Sequence, residues 1–415
     1  MQRVEADVLI TGTDSVIMNG CVLIDGGEVY YSGPTDAAPK VESGLTLSVP
    51  VIMPGMWDAH THFSGVMTAD PTEALKTSVP VQAARCVKDA EKVLNSGFTS
   101  IREVGGFGVH MARVVDEGTV NGPHIYGAGA ILCQTGGQAD YHSFPLDFIS
   151  QFNESIGMGT LSDGVPECLK AVRRQLRLNA RVIKLCASGG VMSELGSPSD
   201  QQFSDEEQRA IVQEAARAQR VVAAHCHGKA GILAALRAGC ATIEHGTYLD
   251  EEAADLMLEK GAILVPTRYI MERLLDSTKQ AGLPEMSYKK LLMMSDTHKQ
   301  AMRLAVKKGV TIALGTDIYS TGDESVAPWG ANANELAFLV EAGMSPLQAI
   351  QAATSVGPRT LGPQAPKSGM LREGYDADII AISKSPLQDV SVLANPKNIT
   401  HVWKAGKLVK QPQSG

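Results

Sequence analysis

The sequence predicts a (β/α)₈ barrel, an α/β fold, with a small β-sandwich domain built from both chain termini. Two observations point there. Between residues 51 and 342, short apolar runs rich in β-branched residues alternate with longer amphipathic stretches, the pattern of buried parallel strands and the helices that cover them. Outside that region, residues 1–50 and 370–415 carry short alternating strands and turn signals, and neither end alone is large enough for a good core.

Taken in order, the strands are expected at 51–59, 98–104, 123–131, 181–187, 221–226, 240–245, 262–269 and 310–316. Helices are expected at 76–95, 109–118, 166–179, 204–219, 229–239, 250–260, 288–308 and 331–342. Ser204 followed by Glu207 has the shape of a capping box. Gly97, Gly239, Gly261 and Gly309 each follow a helix, where a left-handed residue is wanted. Strand–helix units in this order fit a closed barrel of roughly 250 residues better than an open doubly wound sheet, the competing reading. In the termini, Asn19-Gly20 and Asp25-Gly26-Gly27 read as hairpin turns. The division follows: residues 1–53 plus 365–415 form the β domain, and 54–364 the barrel.

Composition removes several classes of function. The chain has 415 residues, 44% hydrophobic and 20% charged, with 37 basic against 45 acidic side chains and a net charge of −8. That is neither the composition of a disordered chain nor a surface that neutralises phosphates, so no nucleic-acid partner is expected. No apolar run reaches the length of a membrane span, so no membrane partner is expected either. The N-terminus lacks a basic head and apolar core. The expected compartment is the cytoplasm, or outside it (secreted or periplasmic) if a signal was removed. Seven scattered cysteines form no disulfide framework.

The chemistry gathers at strand ends. His60 and His62 sit two residues apart at the end of the first apolar strand, so both imidazoles reach one point. His225, His245 and Asp317 each end a later run, at the face of a barrel where catalytic residues lie. Imidazoles and a carboxylate converging there suit zinc or a similar divalent ion. Lys184 ends the run Arg181–Leu185. A cation beside metal is a puzzle: it must be a salt-bridge partner, an amine of depressed pKa or a modified side chain.

Pro54-Gly55-Met56-Trp57-Asp58-Ala59-His60-Thr61-His62 resembles the PGxxDxHxH signature of the amidohydrolase superfamily. Glu244-His245-Gly246, Gly315-Thr316-Asp317 and Gly374-Tyr375-Asp376-Ala377-Asp378-Ile379 resemble its later motifs in the right order. The resemblance implies a metal-dependent hydrolase with two divalent ions, zinc foremost. His60, His62 and Asp317 would hold one, His225 and His245 the other, and Lys184, carboxylated by CO₂, would bridge both. It also implies catalysis by a hydroxide between the ions, with Asp317 moving the proton, and a homo-oligomer, an octamer among the forms. A non-catalytic metal-binding relative is the reading of another class; it would have lost ligands, and all six positions are present.

Leu185–Ser193 and Ala224–Gly228 resemble the branch with Xaa-Pro dipeptidases, related carboxypeptidase-like enzymes and ochratoxin-hydrolysing amidases. That implies cleavage of the amide of an N-acyl or N-aroyl amino acid or a dipeptide; an imidazolonepropionase-like cyclic-amide hydrolase is the alternative. The Gly-Gly-His-Gly-Asp stretch associated with substrate in the dipeptidases is here Gly136-Gly137-Gln138-Ala139-Asp140. Gln138 replaces the histidine, which argues for bulky N-acyl groups over Xaa-Pro. Tyr269, read as the end of the seventh strand, is expected to meet an oxyanion or a substrate carboxylate. His227 and His142 are expected to contact substrate, His142 from a long lid-like loop at 133–165. The N–H groups of Ser188, Gly189 and Gly190 are expected to bind the substrate's free carboxylate.

Overall fold

A computed structural model describes residues 1–412 apart from 43, 157, 194 and 277–282. The architecture is mixed α/β with parallel sheets. One sheet runs Ile318–Ser320, Met56–Val66, Phe98–Glu103, His124–Gly127; the other runs Ile263–Val265, Thr242–His245, Val222–Cys226, Ile183–Cys186, Ile131–Cys133, Gly159–Leu161. Every pairing within both is parallel. Backbone bonds also link them: Arg181 N, just before Ile183–Cys186, donates to Gly127 O at 2.9 Å, and the segment 312–314 joins the other edges, Ala59 N donating to Leu314 O at 2.8 Å and Ala313 N to Leu264 O at 3.0 Å.

The helices follow from apolar spacing. In Gly164–Arg177 the buried side chains are Cys168, Ala171, Val172 and Gln175, an i, i+3, i+4, i+7 stripe. Gln175 is tolerated inside it because its Oε1 accepts from Ala130 N at 2.9 Å. Ser204 and Glu207 do form a capping box at the helix Asp205–Arg217. Gly97, Gly239, Gly261 and Gly309 all take positive φ, as helix C-terminal caps require.

Three expectations are corrected. Residues 262–269 are not one strand: it stops at Val265, Thr267 turns left-handed at φ 55°, and the helix Arg268–Leu275 begins. Of residues 310–316, only the bridge Leu264–Ile312 and single backbone bonds pair. Asn19-Gly20 is not a turn; it lies inside the strand Val16–Asp25. Asn19 takes φ 52° there, which asparagine tolerates, while Asp25–Glu28 closes the hairpin.

The termini share one continuous seven-stranded sheet in place of the expected two-sheet sandwich. Its order is Lys407–Lys410, Ile399–Lys404, Ile379–Ile382, Leu45–Pro54, Gln2–Ile10, Val16–Asp25, Glu28–Pro34. Leu45–Pro54 joins the two ends of the chain, pairing parallel with Gln2–Ile10 and antiparallel with Ile379–Ile382. The sheet curls, so Val4, Ile24, Ile379 and Trp403 from distant strands share one core. All seven cysteines are buried thiols, and among the described residues no helix is long and apolar enough to cross a membrane.

Candidate active site

His60, His62, Lys184, His225, His245 and Asp317 all line one cavity of about 320 Å³. His225 and His245 lie at the ends of Val222–Cys226 and Thr242–His245, His60, His62 and Lys184 within Met56–Val66 and Ile183–Cys186, and Asp317 just before Ile318–Ser320. Three chain positions there adopt left-handed backbone without being glycine: His245 (φ 69°), Thr267 (55°) and Asp317 (59°). Such residues cost on the order of 1–3 kcal/mol each and persist where surrounding contacts over-determine them. Here Gly246 N is tied to Cys226 O at 2.9 Å and Asp317 N to His60 O at 2.7 Å. The chain is thereby bent at His245 and Asp317, whose ligand atoms come within 4.8 Å of each other and of His60.

Outer hydrogen bonds orient the imidazoles. His60 Nδ1 lies 2.6 Å from Glu244 Oε2 and His62 Nδ1 2.7 Å from Gly105 O. Thr267 Oγ1 holds His245 Nδ1 at 2.7 Å, and Thr247 Oγ1 holds His227 Nδ1 at 2.8 Å. The opposite nitrogens of the first two converge on Asp317 Oδ1, His62 Nε2 at 3.1 Å and His60 Nε2 at 3.5 Å. Two trios hold ligand atoms within 4.8 Å of one another, His225 with His227 and His245, and His60 with His245 and Asp317. His245 belongs to both, and His227 joins a cluster from which the sequence reading omitted it.

Electrostatics favour the ligand forms of these groups with one exception: burial would lower His62, but its bond to Asp317 outweighs burial and raises its pKa. Burial, reinforced by Lys184, lowers His60 to about 4 and His225 to about 3, and burial with neighbouring imidazoles holds His245 far below its usual value. Neutral imidazole is the form that binds metal. Burial alone would raise Asp317, but His60 and His62 outweigh it and keep the carboxylate ionised. Lys184 is 2% exposed, burial lowers its pKa, and its Nζ has no hydrogen-bond partner among the described residues.

Two substrate expectations are corrected. Tyr269 does not reach the cavity. It sits on the first turn of Arg268–Leu275 and lines a separate cleft with Arg273 and Phe338. The Ser188-Gly189-Gly190 turn does not line the cavity either, and Ser188 N and Gly189 N are already spent on His225 O and Asp200 O. Gly190 instead makes room: a Cβ there would overlap the Gln138 amide. Gln138, His142 and His227 do line the cavity, and Gln138 Oε1 and both ring nitrogens of His142 are buried with no partner among the described residues. The loop 133–165 contains the helix Leu146–Ile156 and the strand Gly159–Leu161.

Sequence reasoning passed over the residues behind the cluster. Arg102, fully buried, grips Glu244 through Nη2 at 2.7 and 2.9 Å. Asp58 takes His60 N at 3.0 Å, Thr316 N at 3.1 Å, Thr316 Oγ1 at 2.6 Å and Asn332 Nδ2 at 2.8 Å. Burial pushes it to about 6 against those bonds. The legible signal was a charge inside each apolar strand, since a buried charge demands a partner.

The cavity has a polar floor and an apolar outer wall that includes Val191, Ile270, Met271, Leu274 and Leu291, the make-up of a small-molecule site. Residues 51–409 match the amidohydrolase family. The chain belongs to that family. Like its relatives in the family, it is a hydrolase acting on amide bonds. It is 44% identical over 425 aligned positions to the ochratoxinase of Aspergillus niger, covering 99% of this chain and 87% of the relative. The crystal structure of A. niger ochratoxinase superposes with a TM-score of 0.92 at 42% identity, covering 100% of this chain and 96% of the other. A Xaa-Pro dipeptidase with methionine bound in its active site gives 0.87 at 30% identity, covering 99% of both chains. An imidazolonepropionase of Saccharopolyspora erythraea is 24% identical over 97% of this chain and 96% of its own.

Proposed function

We propose that this amidohydrolase binds two divalent metal ions, zinc foremost, and releases an amino acid with a free α-carboxylate from an N-acyl or N-aroyl group, ochratoxin A among the substrates. The observation that carries the reading is the cluster on the cavity floor: the imidazoles of His60, His225 and His245 held neutral, an ionised Asp317, and the buried amine of Lys184 with no partner among the described residues. An ammonium there would oppose a cation. A carbamate on Lys184 is an anion and an oxygen ligand, and its charge suits ions held by imidazole and carboxylate. His60, His62 and Asp317 would hold one ion, His225 and His245 the other, with Lys184 between; His227 stands close enough to the second group to contribute. Bound there, the ions would polarise the scissile carbonyl and acidify the attacking water.

The chain's own groups do the rest. Asp317 accepts the proton of the attacking water and returns it to the amide nitrogen as the C–N bond breaks. The apolar outer wall buries the acyl or aroyl group. With the Ser188 and Gly189 N–H groups committed elsewhere, the free carboxylate falls to His142, whose ring nitrogens are buried with no partner among the described residues, and to the Gln138 amide beside it, which can donate through Nε2. We read the two parallel sheets as one (β/α)₈ barrel over residues 54–364, supported by the bonds from Arg181 to Gly127 and from Ala59 to Leu314. Residues 1–53 and 365–415 are then the β domain. We extend the resemblance to a homo-oligomer.

The test compares an N-aroyl phenylalanine with its methyl ester, alongside metal analysis of active enzyme. The acid should be favoured in kcat/KM by about 10- to 150-fold, the value of a hydrogen bond to a charged group. Equal rates would show that the carboxylate is not read and would turn the assignment toward an imidazolonepropionase-like cyclic amide. Active enzyme with only a trace of bound metal would end the two-ion reading.

A further inference from the structure

Behind His60 lies a fully buried polar strut that the hydrolysis itself does not use. Arg102 comes from Phe98–Glu103, Glu244 from Thr242–His245 and His60 from Met56–Val66. All three side chains are at most 1% exposed. Arg102 donates through Nε to Ala59 O at 2.6 Å, through Nη1 to Thr242 Oγ1 at 2.9 Å, and through Nη2 to Glu244 Oε1 and Oε2 at 2.7 and 2.9 Å. The Thr242 hydroxyl donates to Glu244 Oε1, and His60 Nδ1 lies 2.6 Å from Oε2.

We propose that Arg102 and Glu244 are positioning residues that fix the proton of His60 on Nδ1 and thereby hold its Nε2 lone pair toward the metal site. The inference rests on the metal reading above. An ionised carboxylate only accepts hydrogen bonds, so the imidazole nitrogen facing it must carry the hydrogen. The other nitrogen is left as a lone pair, 3.5 Å from Asp317 Oδ1. Each oxygen of Glu244 already takes two donors, so although it precedes His245 in sequence it has no lone pair left for an ion. Packing alone does not account for the pair, because apolar side chains of similar volume fill such a space as well or better.

That last point supplies the test. Arg102→Met with Glu244→Leu removes both charges and keeps the volume. Metal-free protein carrying ¹⁵N-histidine is compared with the parent by NMR, and zinc affinity is measured by titration into both. The parent should show His60 protonated on Nδ1. The double variant should lose that tautomer and bind zinc about 10- to 100-fold more weakly, the usual cost of losing such an outer partner. A folded double variant that keeps the Nδ1 proton, or binds zinc within twofold of the parent, overturns the proposal. Should the double variant not fold, Thr242→Val removes one bond from Glu244 and leaves the charges in place. A several-fold weaker zinc affinity is expected there, and an unchanged one overturns the proposal. If the parent binds no zinc, the metal reading fails, while the tautomer spectrum still decides the role of the strut.

Discussion

At Lys184 the surroundings and the ordinary chemistry of the residue disagree. An ammonium held at 2% exposure with no hydrogen-bond partner among the described residues costs several kcal/mol, and the attraction of Glu244 and Asp317 does not outweigh that burial. Carboxylation by CO₂ converts the group into an anion that neutral imidazoles and two cations would welcome. Lys184→Ala should therefore lose more than the roughly 100-fold that removing an outer partner of a metal ligand costs. Short carboxylic acids at high concentration should restore part of the activity by filling the space with an oxygen ligand. Steady-state rates with and without added acid check both statements. An alanine variant that retains activity without acid would return Lys184 to a structural role. The lysine was visible in the sequence as a charge ending an apolar run; its want of a partner was not, because that depends on what other strands bring.

At the level of elements, the regular periodicities translated well and the transitions between them did not. His60, His62, His225 and His245 were legible because their strands are marked by β-branched runs whose ends can be counted. Tyr269 was misplaced because Val265–Tyr269 reads as a continuing strand, while Thr267 at φ 55° turns the chain into a helix and carries the phenol to another cleft. The Ser188–Gly190 turn was misjudged for a related reason: which of its N–H groups remain free depends on His225 O and Asp200 O, partners that lie 37 and 11 residues away. Gly190 still matters to substrate through Gln138. In Gly190→Ala the new Cβ would overlap the end of a flexible side chain rather than backbone. Stability should then fall by only about 0.5–1.5 kcal/mol, the cost of an off-rotamer side chain. KM for N-aroyl amino acids should rise several-fold while kcat holds. Thermal unfolding and steady-state kinetics on the one variant separate the two effects. An unchanged KM would remove Gln138 from the substrate's surroundings.

Across the whole molecule, the two ends of the chain are joined by one strand. Leu45–Pro54 receives Gln2–Ile10 on one edge and Ile379–Ile382 on the other, and Trp403 Nε1 donates to Gln2 Oε1 at 2.9 Å across the curl of the sheet. Removing residues 370–415 takes away three strands and leaves an edge of Leu45–Pro54 unpaired. It also uncovers Val4, Ile24 and Ile52, which share a core with Ile379 and Trp403. Burying a side chain of that size is worth about 1.5–3 kcal/mol, so exposing these three costs about 4.5–9 kcal/mol, comparable with the 5–15 kcal/mol by which a domain is commonly stable. The effect should not stop at the sheet. Gly55 N donates to Asp378 O at 2.9 Å, one residue before Met56–Val66 begins and five before His60, so the deleted segment also anchors the strand that carries the first two imidazoles. The truncated chain should lose protection from hydrogen exchange in residues 1–50 and lose the His60–His62 end of the metal site with it, giving less bound metal per chain than the full protein. A truncated protein that unfolds in the same single cooperative transition and retains its metal would show instead that the terminal sheet is an appendage.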